Sequence, residues 1–302
     1  MANNEELKLL PDDQEAREWT YKAKANSFML FYDYNDFENV ELVGNSANMI
    51  LKRAVLRPLK KVVTLSTSKL NNQFSLRHAL LEVQKLRRVS AHDNVLSYIG
   101  LTQEPNANNL VTVVLDYAEY NLREYLSDNE LPWAKKLQLA KQLTGGLYCL
   151  HQYDMYHGNL ISDNIGMTNG RIKLHNFGRY KKIEESKKTL AQYFEQIPYL
   201  DPQHLKNPKK FFRDEIISDI YSLGVLFWEI SSQKPPFEEY SNEPCRLCYL
   251  IVYENLRESP VPNTPKFYED LYKECWKFDR WERPTIEDVW DRLEASQEED
   301  SN

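Results

Sequence analysis

From about residue 38 to 66 the stretch "FENVELVGNSANMILKRAVLRPLKKVVTLS" alternates short apolar runs with the interruptions "GNS" and "RPLKK". Runs of this length between turn-forming residues predict three antiparallel strands. The next segment, "SLRHALLEVQKLRRVS", places Leu76, Ala79, Leu80, Val83 and Leu86 three or four residues apart, which is one face of an amphipathic helix. Two more strands are expected from "VLSYIGL" and from "NLVTVVLDYA", the second rich in β-branched residues.

After Tyr117 the pattern becomes helical. "LPWAKKLQLAKQLTGGLYCLH" carries Leu137, Ala140, Leu143, Leu147 and Leu150 on one face and predicts a long buried helix despite Gly145 and Gly146. "SDIYSLGVLFWEIS" is apolar on nearly every side, so it predicts a helix inside a core. Further helices are expected at about 246 to 256, 267 to 276 and 285 to 294. The pattern thus describes an α+β chain: a small β-rich lobe, a hinge near Asp116 to Ala118, and a larger α-helical lobe. Residues 1–37 form an N-terminal extension, expected to be partly helical, and residues 296–302, "SQEEDSN", an acidic tail expected to be disordered.

Composition narrows the partners more than the fold. A chain of 302 residues with 42% hydrophobic content can bury a substantial core. Its 45 acidic and 38 basic residues give a net charge of -7 with no basic stripe, which argues against nucleic acid as a partner. The start "MANNEELKLLPDDQEAREW" lacks the basic and apolar regions of a secretory signal, and no apolar run approaches the ~20 residues of a membrane span. The expectation is no membrane partner. Four cysteines are few for this length and suit a reducing compartment, and Cys245 and Cys248 form a CxxC with no second pair or nearby histidine to complete a zinc site. The expected location is the cytoplasm, with the nucleus also open.

The candidate chemistry lies in "MYHGNLISDNIGMTNGRIKLHNFG", residues 155–178, where polar amides stand at regular places around a hairpin-like segment. Six stretches fall in the order and at the spacings of known motifs. "VVTLS" at 62–66 resembles the VAIK strand, with Glu82 on the next helix as partner of its lysine; "HGNLISDN" at 157–164 resembles HRDLxxxN; and "NFG" at 176–178 resembles DFG. "YLDPQ" at 199–203 stands where the APE motif belongs, "SDIYSLGVLFWEI" at 218–230 is similar to the buried helix with its Asp219, and "CWKFDRWERPT" at 275–285 is similar to CWxxDPxxRPT. Together they resemble the protein kinase fold, tyrosine-kinase-like branch, over residues 38–295. The resemblance implies a two-lobed kinase fold with an N-lobe at 38–118 and a C-lobe at 119–295. It implies ATP and Mg²⁺ as ligands, with Leu51, Thr64, Leu115, Asp116 and Ala118 around the nucleotide.

Phosphoryl transfer depends on positioning and on neutralising developing charge, so three groups carry most of the rate: a lysine on the phosphates, a carboxylate on Mg²⁺ and a carboxylate receiving the hydroxyl proton. Each is changed here. Ser66 stands at the lysine position and leaves Glu82 without its ion-pair partner; the third loop glycine, from which some kinases supply a lysine, is Met49. Lys60 and Lys61, in the turn before the strand, and Lys69 beyond it read as solvated surface charges. Asn176 stands at the metal position, where Mg²⁺ prefers carboxylates, although Asn164 keeps the second ligand position. Asn159, at the base position, cannot accept a proton at neutral pH, and a well-placed base typically contributes ~10²–10⁴-fold.

Against GxGxxGxV, "GNSANMIL" keeps Gly44 but has Ser46, Met49 and Leu51, and side chains at two glycine positions obstruct close approach of backbone N–H groups to phosphate. Thr64 replaces a small alanine. The expected binding of ATP and Mg²⁺ is weak or absent.

The regulatory arginine of HRD is Gly158, so Ser186, Thr189, Tyr193 and Tyr199 lack a phosphate reader there. The APE glutamate is Gln203, which would offer Arg283 at most a hydrogen bond. Kept are Leu86, His157, Phe177, Asp219, Trp276, Arg283 and Pro284. The resemblance therefore implies a pseudokinase that acts by binding another protein, such as an active kinase or its substrate. Two alternatives are a weak atypical serine/threonine or tyrosine kinase using Asn164, Asn176 and a displaced lysine, and a nucleotide sensor.

Overall fold

A computed structural model describes residues 30–45, 49–68, 76–105, 112–175, 194–207 and 215–299. The chain divides into two compact units, one up to Tyr117 and one from Ala118 onward.

The first unit is built on β1 (Phe37–Asn45), β2 (Met49–Leu56), β3 (Lys61–Ser68), β4 (Tyr98–Thr102) and β5 (Thr112–Asp116), with helix α1 (Leu76–Val89) between β3 and β4. The sheet order is β1-β2-β3-β5-β4, and every neighbouring pair is antiparallel. Strand alternation sends Val63 and Leu65 of β3 to one face, where they join Phe37, Ala54, Leu56 and Val114. Val113 and Leu115 of β5 turn to the opposite face and pack with Val83 of α1, Leu96 and Leu101.

Two features differ from the expected pattern. Lys61 is the first residue of β3 rather than a turn residue, and its ammonium lies 2.8 Å from the Asp116 carboxylate. Lys60 does make the turn, with φ of 50°. The lobe also reaches further toward the N-terminus than residue 38: Phe31 bridges Leu101 in parallel, and Tyr32 and Tyr34 pack against the cluster around Phe37.

The second unit begins with β6 (Tyr120–Asn121), α2 (Leu122–Asp128) and α3 (Trp133–Gln152). Asn121 starts α2 with a capping box, its side chain accepting from the Glu124 N–H while Glu124 receives the Asn121 N–H. β7 (Ile165–Thr168) and β8 (Arg171–Leu174) form a hairpin, followed by α4 (Pro202–Lys206), α5 (Glu215–Ser232), α6 (Pro244–Tyr253), α7 (Lys266–Cys275) and α8 (Ile286–Glu299). Every residue of α5 from Asp219 to Ser231 is buried, as its all-round apolar pattern predicts.

The expected helix at 246–256 ends early, at Tyr253, because Asn255 has φ of 51°, outside the helical region. α8 instead continues to Glu299, so the first residues of the acidic end set outside the domain are helical; no glycine or proline interrupts "DRLEASQEE". No helix of the described residues is long and apolar enough to cross a membrane.

Candidate functional site

In the first unit the sheet register shows which candidate positions share a face. Gly44 pairs with Leu51, Leu51 with Ser66, and Ser66 with Val113; the adjacent row runs Arg53, Thr64, Leu115. Residues paired directly across strands, and those two apart along one, point to the same side. Gly44, Leu51, Thr64, Ser66 and Leu115 therefore lie on one face of the sheet, the face on which Leu115 packs with Val83 of α1. Ser66 is buried and neutral there.

Cations near this face are engaged elsewhere. The Arg53 guanidinium lies over the Tyr117 ring at 5.4 Å and 3.5 Å from Glu41. Lys52 projects to the opposite face, where its ammonium is 2.5 Å from Glu104. Lys61 is held by Asp116, whose other carboxylate oxygen accepts the Tyr117 N–H at 2.8 Å. Arg53 is the cation that reading for lysines alone passed over; its place in the same row as Thr64 follows from β2–β3 register. At Gly44 a Cβ would meet Leu51 at 3.6 Å, an ordinary contact, so the backbone there does not exclude a side chain. Glu82 lies on α1, but its side chain, that of Met49, Ser46 and Lys69 fall outside what the structure describes.

In the second unit the loop after α3 is anchored on one carboxylate. Asp219, buried on α5, accepts the backbone N–H of His157 at 2.7 Å and of Gly158 at 2.9 Å, and His151 Nε2 lies 3.1 Å from it. Gly158 has φ of +74°, where an arginine would be strained. Burial pushes His157 down to about 4, against the pull of Asp219, so its imidazole is neutral at physiological pH. Sequence reading had singled out His157 and Asp219; the part played by His151, in the last turn of α3, shows only in the structure.

Asn159 and Asn164 are brought together by this loop. Asn164 ends a 3₁₀ turn, Ser162–Asn164, and its side-chain N–H₂ donates to the Asn159 carbonyl at 3.0 Å. That contact takes the amide nitrogen and leaves the oxygen for another partner. The Asn159 N–H points to His157 Nδ1 at 3.4 Å. Just beyond, Gly166 packs so closely that a Cβ would lie 2.6 Å from the Ala118 Cβ and 3.2 Å from the His175 ring. Asn176 and Phe177 lie outside the described residues, as do Ser186, Thr189 and Tyr193. Among the described residues no group of three or more His, Cys, Asp or Glu side chains is placed to hold a metal. For Mg²⁺ the donor on view is the neutral amide oxygen of Asn164, a poor substitute for the carboxylates this ion prefers.

Two buried polar centres lie at the "IPYLDPQ" segment. Tyr199 is 2% exposed; its hydroxyl donates to Glu229 at 2.7 Å, receives Arg123 at 2.6 Å and lies 3.1 Å from Ser162. Arg123 and Glu229 form an ion pair at 2.9 Å. Tyr199, grouped by sequence with the phosphorylatable residues of this segment, is thus a structural tyrosine with its hydroxyl enclosed. Burial pushes Glu229 up to about 7 in spite of Arg123.

The second centre corrects the expected pairing of Arg283. Asp201, two residues before Gln203, takes the Arg283 guanidinium in a bidentate pair at 2.7 and 3.1 Å, with Arg280 3.1 Å away. Gln203 instead donates to the Phe278 carbonyl at 3.2 Å. The lost glutamate is replaced by a neighbouring carboxylate, a displacement visible only once α4 is folded.

Comparison with known proteins places this geometry. The family model described as protein tyrosine and serine/threonine kinase matches residues 52–293. Mixed lineage kinase domain-like protein of Mus musculus is 29% identical over 204 residues, covering 62% of this chain and 42% of that protein. Putative serine/threonine-protein kinase/receptor R831 of Acanthamoeba polyphaga mimivirus is 24% identical over 273 residues, 86% of this chain and 16% of that protein. Tyrosine-protein kinase transmembrane receptor Ror of Drosophila melanogaster is 26% identical over 280 residues, 87% of this chain and 39% of that protein. The chain thus spans less than half the length of each of these relatives. With the motifs in order, the five-stranded sheet and the helical second unit, the chain belongs to the protein tyrosine and serine/threonine kinase family.

Proposed function

We propose that this kinase-family chain is a pseudokinase that acts by binding another protein, such as an active kinase or its substrate, and that it carries out no phosphoryl transfer of its own. The observation that supports this most directly is Asn159. The loop around it keeps its anchors, with Asp219 holding His157 and Gly158 and with Asn164 bonded to the Asn159 carbonyl, yet the position of the proton acceptor carries an amide. An amide cannot take the substrate hydroxyl proton at neutral pH. Ser66 adds a second loss, because a short neutral hydroxyl cannot neutralise phosphate charge as an ammonium does.

ATP and Mg²⁺ bind weakly or not at all in this reading. A preserved scaffold with altered chemical groups suits a surface that other proteins read, in the cytoplasm or nucleus. The test is a transfer assay on the purified chain with ATP and Mg²⁺, paired with thermal unfolding with and without nucleotide. No incorporation of phosphate and no rise in midpoint at saturating nucleotide are expected. Autophosphorylation abolished by Asn164→Ala would overturn the proposal. A metal-dependent rise without transfer would replace it with a nucleotide sensor, since binding at 100 times Kd adds about 2.7 kcal/mol.

A further inference from the structure

The segment Leu30–Asp36 is seated in a slot made for it. Its backbone runs parallel to β4, the edge of the sheet: Leu101 N–H donates to the Leu30 carbonyl at 2.8 Å and Tyr32 N–H to the Leu101 carbonyl at 2.9 Å. Gly100 makes this approach feasible, since a Cβ there would lie 2.7 Å from both the Leu30 carbonyl oxygen and the Tyr32 ring. The strap is then pinned by two aromatic rings, Tyr32 and Tyr34, whose centroids lie 6.4 and 6.0 Å from that of Phe37, the first residue of β1.

Two backbone bonds make a weak seat, and the pin that carries a hydroxyl into a charged cluster is Tyr34. Its ring is only partly buried, and its hydroxyl donates to Glu104 at 3.2 Å, on the same oxygen that receives Lys52 at 2.5 Å. The surrounding charge is mainly acidic: Asp33, Asp36 and Glu38 flank Tyr34 in sequence, and Arg57 contacts both Asp36 and Glu38 at 3.6 Å. Lys52, the one cation beside the Tyr34 hydroxyl among the described residues, is paired with Glu104.

We propose that Tyr34 is a phosphorylation site and that its modification by a separate tyrosine-directed kinase releases the Leu30–Asp36 strap from the β4 edge. The donor is ATP. The Tyr34 Oη–phosphorus bond forms, the bond between the γ-phosphorus and the β–γ bridging oxygen breaks, ADP leaves and the phenolic proton passes to solvent. The new group carries about -1.5 to -2 charges at pH 7 and is set beside Glu104 in an acidic neighbourhood, where repulsion and lost packing work against the seated state. Release uncovers the N–H and C=O groups of β4 around Leu101, the kind of edge to which an extended segment of another protein can add.

The full chain is treated with a purified tyrosine kinase and ATP, the modified residue is located by mass spectrometry, and hydrogen exchange is compared between the phosphorylated and unphosphorylated chain. Modification at Tyr34, absent in Tyr34→Phe, with exchange at Tyr32 and Leu101 faster by about tenfold or more and β2–β3 still protected, is the expected result. Failure to modify Tyr34 in the folded chain, when a peptide spanning residues 28–40 is modified, overturns the proposal. So does unchanged or slower exchange in the phosphorylated chain, which would mean that the phosphate displaces Glu104 on Lys52 and tightens the strap. Loss of protection across β2 and β3 overturns it as well, because strap release alone leaves those strands paired.

Discussion

Asp201 and Arg283 meet as a buried bidentate pair, 2.7 and 3.1 Å between carboxylate and guanidinium, joining the start of α4 to the segment before α8. Gln203 N–H and Ser218 Oγ donate to the same carboxylate, at 2.9 and 3.1 Å. Removing one member of such a pair leaves the other charge buried and alone, which typically costs about 3–5 kcal/mol. Asp201→Ala is expected to lower stability by that order in urea unfolding. Gln203→Glu is expected to cost about 1 kcal/mol rather than to stabilise, because a carboxylate cannot donate to the Phe278 carbonyl.

The same pair predicts a pH dependence. Burial raises the Asp201 pKa, but the hydrogen bonds and charge of Arg283 outweigh it and hold the carboxyl below its usual range. A group whose folded pKa is depressed contributes stability above its unfolded value, about 3.9, and loses it as pH falls through the folded value. Acid unfolding should therefore steepen below about pH 4, and Asp201→Asn should remove that component when unfolding free energy is measured from pH 2 to 6.

Glu229 has the opposite sign. Its burial raises the folded pKa to about 7. Its contribution is full below the unfolded value, about 4.3, and fades as pH rises through 7. Glu229→Gln, which keeps an acceptor for the Tyr199 hydroxyl, should flatten the fall in stability between about pH 4 and 7. A slope unchanged in the variant would show that Arg123 keeps Glu229 ionised throughout.

Asp219 is the anchor of the loop that carries Asn159. Asp219→Ala strands the His157 and Gly158 N–H groups in the interior, where an unsatisfied buried donor costs about 1–3 kcal/mol each. Faster amide exchange at Gly158 and Asn159 with the sheet unit unchanged would confirm that the effect is confined to this loop.

Restoring the three catalytic groups together, Ser66→Lys, Asn159→Asp and Asn176→Asp, is expected to leave phosphate transfer undetectable, because Met49 and Ser46 still occupy the positions of loop glycines. Strong activity of the triple variant in a radiolabel assay would show that the loop side chains are no obstacle.

The order of strands and helices was legible in the sequence because alternation and helical spacing are local: Leu76 to Leu86 and the apolar run "GVLFW" declare their elements without a partner. The substituted positions were legible too, since Ser66, Asn159 and Asn176 stand in motifs of fixed spacing. What tertiary structure alone decided were the pairings. Asp201 rather than Gln203 reaches Arg283, His151 joins Asp219 across two helices, the Tyr199 hydroxyl is enclosed by Arg123 and Glu229, and the 30–32 segment adds to β4 through the gap left by Gly100. Each pairing joins residues far apart in the chain, or turns on a choice between side chains two residues apart. Spacing encodes which way a side chain faces along its own element, and only packing between elements fixes which charge or hydroxyl it meets.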